Sequence, residues 1–131
     1  MIVLDASAAV ELLLNTRLGK KLAKRLRSSD ASLHAPHLID LEVAQTLRRY
    51  VADRTLHEKE GWLALQHLAM LDLHRYPHDP LLERIWGLRD NVTAYDGAYV
   101  ALAEALGATL VTGDRRLARA PGLKADVELL K

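Results

Sequence analysis

Apolar positions along the chain change period repeatedly, and the changes mark an alternation of strands and helices. Ile2-Val3-Leu4 and Thr109-Leu110-Val111-Thr112 are short, β-branched apolar runs of the kind left by strands buried on both faces. Each gives way to helix-like sequence, Ser7 to Leu14 after the first and a short helix after Asp114 following the second. Between them the pattern predicts a helix from about Thr16 to Ser28 that contains Gly19, a short strand near Leu33 and a break at Pro36. Leu38, Leu41, Ala44, Leu47 and Val51 then form a stripe at helical spacing, and a helix from about Glu58 to Leu71 should turn Trp62, Leu65, Leu68 and Ala69 inward. Asp72 to Pro80 reads as a short strand and turn, with Pro80 suited to the first turn of a helix over about Leu81 to Arg89. A further helix runs from near Thr93 to Gly107, a good stop residue, and a last strand lies near Val127. This is an α/β order, with no repeats, low-complexity tracts or linkers, and it predicts one domain over residues 1–131.

Composition narrows the chemistry. A chain of 131 residues that is 50% hydrophobic, with 7 Gly and 4 Pro, can bury roughly two thirds of its unfolded surface and needs no staple to hold a core. The absence of cysteine excludes disulfides, thiolate zinc sites and a cysteine nucleophile, and fits a reducing compartment, so the cytoplasm is the expected location. The apolar start carries Asp5 and Glu11 and lacks a basic leader, unlike a signal peptide, and no stretch reaches the ~20 apolar residues of a membrane span. With a net charge of +1 the chain does not announce a nucleic-acid binder through bulk electrostatics. Its basic residues are clustered instead: Lys20, Lys21, Lys24, Arg25 and Arg27 read as a solvated helix face, and Arg115, Arg116 and Arg119 follow Asp114.

Four acids stand where an apolar run ends or a helix begins: Asp5, Glu42, Asp96 and Asp114. Asp5 and Asp114 follow strands, and in an open α/β sheet ligands collect outside the carboxyl ends of the strands, so both belong to one edge. Each alone could be a helix N-cap, and Thr93-x-x-Asp96 resembles a capping box. Yet Asp96 tops the inward stripe of Tyr99, Val100 and Ala103, and Glu42 is bracketed by Leu41 and Val43, with an ion pair to Arg48 or Arg49 as its plainer explanation. Several carboxylates in one cleft raise one another's pKa unless a cation joins them, and an all-oxygen donor set selects Mg²⁺ or Mn²⁺ over zinc.

Other residues carry two readings each. Ser7 and Thr112, beside Asp5 and Asp114, could bond a carboxylate or a phosphate, or serve as a helix cap and a strand hydroxyl. Arg89, Arg115 and Arg116 could hold phosphate oxygens, to which a guanidinium fork is suited, or make ordinary surface ion pairs. His34-x-x-His37 and His74-x-x-x-His78 have suggestive spacing, but Pro36 and Pro77 interrupt any helix that would align them as metal ligands. Trp62, Trp86 and the four Tyr sit among Leu and Ile at helical spacing and read as core or interface rather than as stacking platforms for bases.

Three segments carry a resemblance: Met1-Ile2-Val3-Leu4-Asp5-Ala6-Ser7-Ala8, then Asn91-Val92-Thr93-Ala94-Tyr95-Asp96-Gly97-Ala98-Tyr99-Val100-Ala101-Leu102-Ala103, and Leu110-Val111-Thr112-Gly113-Asp114-Arg115-Arg116-Leu117. With Leu41-Glu42-Val43 as a weaker anchor, the chain resembles the PIN-domain ribonucleases, specifically the VapC-type toxins of bacterial toxin-antitoxin pairs. The resemblance implies a three-layer α/β/α sandwich around a mostly parallel sheet and Mg²⁺-dependent endonucleolytic cleavage of RNA, with Mn²⁺ as a substitute and 5′-phosphate and 3′-hydroxyl products. It implies Asp5 and Asp96 as the main metal ligands, with Glu42 and Asp114 completing the pocket, binding through water or orienting the attacking water. It also implies a VapB-like antitoxin that neutralises the toxin by pushing a basic side chain into the acidic pocket, and a homodimer. Leu12, Leu13 and Leu14 suggest an interface among the early helices or simply core. Two other readings remain. A haloacid-dehalogenase-type phosphatase would need a second Asp where Ser7 stands, and a non-catalytic module would use the acidic pocket only to receive a basic partner segment.

Overall fold

A computed structural model describes residues 1–131. Five strands, β1 (Ile2–Leu4), β2 (Leu33–Pro36), β3 (Leu73–Tyr76), β4 (Thr109–Thr112) and β5 (Val127–Leu129), form one sheet in the order β3-β2-β1-β4-β5. All four pairings are parallel. A sheet of this kind needs crossover connections and cover on both faces, which the seven helices supply. These are α1 (Ala6–Leu13), α2 (Arg17–Ser29), α3 (Leu38–Ala52), α4 (Glu58–Met70), α5 (Leu82–Gly87), α6 (Ala94–Leu106) and α7 (Arg115–Ala118), with a 3₁₀ turn over Asp79–Leu81 ahead of α5.

Side chains alternate across β1, so its two faces feed two cores. Val3 joins the larger one with Ala35, Ile39, Val43, Leu47, Leu68, Ile85, Leu110 and the inward face of α6. Ile2 and Leu4 join a smaller one with Ala8, Leu22 and Val111. The layering is therefore helix, sheet, helix. No helix is long and apolar enough to cross a membrane.

Gly19 sits inside α2 although glycine weakens a helix interior. A Cβ there would lie 1.8 Å from the Glu11 carbonyl oxygen, so the α1–α2 crossing is closed by the missing side chain. The basic cluster of α2 is a solvated face: Lys20, Lys21, Lys24 and Arg27 are exposed, and Arg25 pairs with Glu128 of β5. Gly107 ends α6 in the left-handed conformation at φ 62°, as its position predicts.

Three expectations need correction. Leu41 is 72% exposed, because α3 turns Ile39, Val43 and Leu47 to the sheet, a stripe offset from the predicted one. In α4 the buried residues are Gly61, Ala64 and Leu68, so Trp62 and Ala69 face outward. The helix expected over Leu81 to Arg89 is split, its first turn tightening to 3₁₀ around Pro80 and its α-helical part ending at Gly87. In the first two cases a run of mixed apolar residues allowed two helical faces, and packing on the neighbouring elements, α3 on β2 and α1, and α4 on α3 and α1, selected one of them.

Candidate metal-dependent active site

The register of β1 on β4 builds the centre of the site. Leu4 pairs with Val111, so the next residues, Asp5 and Thr112, emerge side by side at the carboxyl edge of the sheet. The Asp5 amide donates to the Val111 carbonyl at 3.2 Å, and Asp5 then caps α1 by accepting from the Ala8 N–H at 2.9 Å. Its Oδ1 also accepts from the Ser7 hydroxyl at 2.6 Å, and its Oδ2 accepts from the Thr112 hydroxyl. Both hydroxyls accept from the β4–α7 turn in return, Ser7 from the Gly113 N–H at 2.8 Å and Thr112 from the Asp114 N–H at 3.0 Å. Each hydroxyl is thereby polarised toward one carboxylate. A Cβ on Gly113 would stand a tight 3.2 Å from Ser7 Oγ, so a larger residue here would make Ser7 shift slightly.

The capping reading of Asp5 and the site reading are thus both satisfied by one side chain. Asp114 caps α7 by accepting from the Arg116 N–H at 2.8 Å. Thr93 caps α6 by accepting from the Asp96 N–H at 3.1 Å, which leaves the Asp96 carboxylate, one turn in, half-buried at the cleft. Glu42 makes no ion pair with Arg48 or Arg49; its Oε1 accepts from the buried Tyr99 hydroxyl at 2.7 Å.

Asp5, Glu42, Asp96 and Asp114 line a single cleft of about 390 Å³, with Ser7, Glu11, Gln45, Thr46, Arg49 and Tyr99 among its walls. Their charges are felt in common. Burial pushes the Asp5 carboxyl above its ordinary range despite three hydrogen bonds, and Asp114 adds to the rise. Burial raises Glu42 as well, reinforced by Asp96 and Asp5, and it raises Asp96, reinforced by Asp114 and Asp5. The Tyr99 phenol is held protonated well above its normal range, first by burial and then by Glu42 beside it, so it acts only as a donor.

No three of these side chains stand close enough to hold a metal ion by themselves. The donor set nonetheless fits a hard divalent cation of the Mg²⁺ class, which keeps several waters and takes only one or two carboxylates directly. Mutual repulsion among four acids is the cost that such a cation would relieve.

A second cleft of about 440 Å³ adjoins the first and shares Asp96 and Asp114 with it. Its walls include Arg89, Asn91, Thr93 and Arg116. Of the predicted basic residues, Arg89 and Arg116 therefore meet the site, whereas Arg115 lines neither cleft. Sequence reasoning did not assign to the site Glu11 and Tyr99, nor Gln45, Thr46 and Arg49, of which the last three follow Glu42 by three, four and seven positions. Helical spacing from Glu42 was the signal that could have found those three. The histidines lie elsewhere: His34 bonds Ser32 and Tyr76 and stacks on His74, and the His78 ring accepts from the Leu38 N–H.

The PIN domain family model matches residues 2–123. Ribonuclease VapC12 of Mycobacterium tuberculosis is 45% identical over 130 residues, covering 99% of each chain. Ribonuclease VapC9 of the same species is 49% identical over 117 residues, covering 89% of this chain and 88% of that one. Among solved structures, VapBC2 from Rickettsia felis bound to a promoter DNA fragment superposes with a TM-score of 0.71 at 16% identity over the full length of both chains, a likeness of fold. Sequence and fold agree, and the chain belongs to the PIN-domain family, with VapC ribonucleases among its relatives.

Proposed function

We propose that this protein is the toxin of a toxin-antitoxin pair and cleaves RNA internally at phosphodiester bonds with the help of Mg²⁺, for which Mn²⁺ can substitute. The ribonuclease reading rests on the VapC relatives, and the observation that carries its chemistry is the convergence of Asp5, Glu42, Asp96 and Asp114 on one cleft with guanidinium groups at its margin. Asp5 and Asp96 would hold the cation, which when bound lowers the pKa of water and offsets charge that builds on the phosphate.

The chain's own residues then have separable tasks. Ser7, Thr112 and the Ala8 N–H fix the Asp5 carboxylate and leave it little freedom beyond the direction facing the cleft. Glu42, oriented by Tyr99, and Asp114, oriented by the start of α7, are placed to accept protons from, and align, a water attacking in line. Arg89 and Arg116 stand across Asp96 and Asp114 where phosphate oxygens of the strand would pass. Repulsion by the four acids keeps RNA from settling without the cation, so metal and substrate bind as a unit.

A VapB-like antitoxin carrying a basic side chain would neutralise the same charges and compete for the cleft. We assign the protein to the cytoplasm, where RNA and such a partner meet, and we expect it to dimerise, alone and in complex with that partner. The test is incubation of cellular RNA with purified, antitoxin-free protein in Mg²⁺, in Mn²⁺ and in EDTA, alongside Asp96→Asn. Discrete fragments that need metal and vanish in the variant support the reading, and an absence of metal-dependent cleavage by folded protein overturns it.

A further inference from the structure

Trp86 is not core, one of the two places that its helical spacing allowed. It is 70% exposed, because α5 turns Ile85 inward and the following turn buries Leu88. The Arg89 guanidinium lies 5.1 Å from the centre of the Trp86 ring, and its Nη1 donates to the Trp86 carbonyl at 3.0 Å. Arg89 forms no ion pair, so its charge is spent on no carboxylate, although Asp90 is its chain neighbour. Arg89 also lines the second cleft, whose other cation, Arg116, is 95% exposed and makes a long ion pair of 3.8 Å with Asp114. Asn91, from the same turn as Arg89, donates to the Pro121 carbonyl at 2.9 Å and so closes the far wall of that cleft.

From this arrangement we infer that the second cleft is a nucleotide subsite, in which Arg89 and Arg116 hold a phosphate next to the cleaved one, and that Trp86, which stands outside the cleft lining and is joined to it by the Arg89 stacked on its ring, is a platform at the rim for an unpaired base. The inference rests on the ribonuclease reading of the acidic cleft and adds to it where the strand goes next. Three physical points support it. Asp96 and Asp114 are common to the two clefts, so a phosphate at the acids places the adjoining nucleotide in the second one. Its volume of about 440 Å³ is in the range of small-molecule sites. An exposed indole paired with an arginine offers stacking and cation–π attraction to any base, but only to one that is not held in a duplex. The subsite thus selects single-stranded segments or loops of RNA and contributes binding rather than chemistry, and a Trp86→Phe variant keeps most of it.

The experiment uses Trp86 as its own reporter. In an Asp5→Asn, Trp62→Phe protein, which is silenced for cleavage and leaves Trp86 as the sole tryptophan, a short fluorescently labelled single-stranded RNA is titrated in saturating Mg²⁺. Saturable binding by anisotropy together with quenching of Trp86 emission is expected, with affinity falling about tenfold in Trp86→Ala and in Arg89→Ala and largely restored in Trp86→Phe. In the cleavage-competent protein Trp86→Ala should raise KM about tenfold with kcat within about twofold. RNA that binds without quenching Trp86, or an unchanged KM, overturns the subsite while leaving the nuclease reading intact. Loss of self-association in Trp86→Ala by sedimentation, with RNA binding unchanged, assigns Trp86 to an interface with a second copy and overturns it too. Failure of any RNA to bind this variant overturns the subsite, and metal-dependent cleavage by the unsubstituted protein then decides the nuclease reading separately.

Discussion

The two walls of the acidic cleft present their carboxylates in different ways. On the sheet wall Asp5 is 5% exposed, grows from a strand with no freedom to shift, and receives three hydrogen bonds. On the helical wall Glu42 extends from α3 on a longer side chain and receives one, from a phenol. A ligand that must hold a cation in one place benefits from the first arrangement. A group that orients a water or adjusts to substrate is served by the second. The comparison teaches that convergence of acids does not make them equivalent, and that backbone register together with the shorter side chain sets the rigid member.

The largest expected effect is on catalysis. Asp5→Ala should lower RNA cleavage by about a thousandfold or more, the scale set by several kcal/mol of charge stabilisation, whereas Glu42→Ala should cost closer to tenfold. Single-turnover rates with saturating Mg²⁺ measure both, and equal losses would break the distinction between the walls.

Next comes the dependence of stability on metal and pH. Burial raises the carboxyls of Asp5, Glu42 and Asp96, so the folded chain holds protons that the unfolded chain has released. The metal-free protein should therefore lose stability as pH rises from about 4 through these raised values, and added Mg²⁺ or Mn²⁺ should restore it. Thermal melts should show a stabilisation of roughly 3–8 °C by the cation near pH 7.5, and a smaller one as pH falls and protons compete for the raised carboxyls of Asp5, Glu42 and Asp96. A shift independent of pH would mean that the cation binds away from these acids.

Smaller effects sharpen the comparison at its hydrogen bonds. Thr112→Val removes the donor to Asp5 and the acceptor for the Asp114 N–H, and should cost about 1–3 kcal/mol in denaturant unfolding together with a clear loss of activity. Tyr99→Phe removes only the donor to Glu42 and should lower cleavage a few-fold, with a raised metal requirement at low Mg²⁺. If Tyr99→Phe proves the more damaging, Glu42 is the rigid ligand and the walls exchange roles.

Much of this was legible in the chain because it depends on neighbours in sequence. The β-branched runs ending at Asp5 and before Asp114 predict strands whose ends face one edge, and the structure places both there. Gly107 and Thr93 bound α6 through backbone requirements that single residues state openly. The failures share a cause. Trp62 and Leu41 are large apolar residues at helical spacing, and periodicity cannot say whether a stripe meets a sheet or solvent. Nor could it show that Glu42 would find Tyr99, 57 positions away, rather than an arginine one or two turns along its own helix.

The sequence by itself determined the alternation of elements, the four acids and their attachment to strand ends and helix starts, since these follow from local period and capping chemistry. Only the tertiary structure decided how they combine. The register of β1 against β4 sets Thr112 beside Asp5, and the packing of α3 and α6 on one face of the sheet brings Glu42 and Asp96 to the same cleft. The physical reason is that a parallel sheet joins strands through long crossovers, so its edge collects residues distant in the chain whose proximity no local pattern encodes.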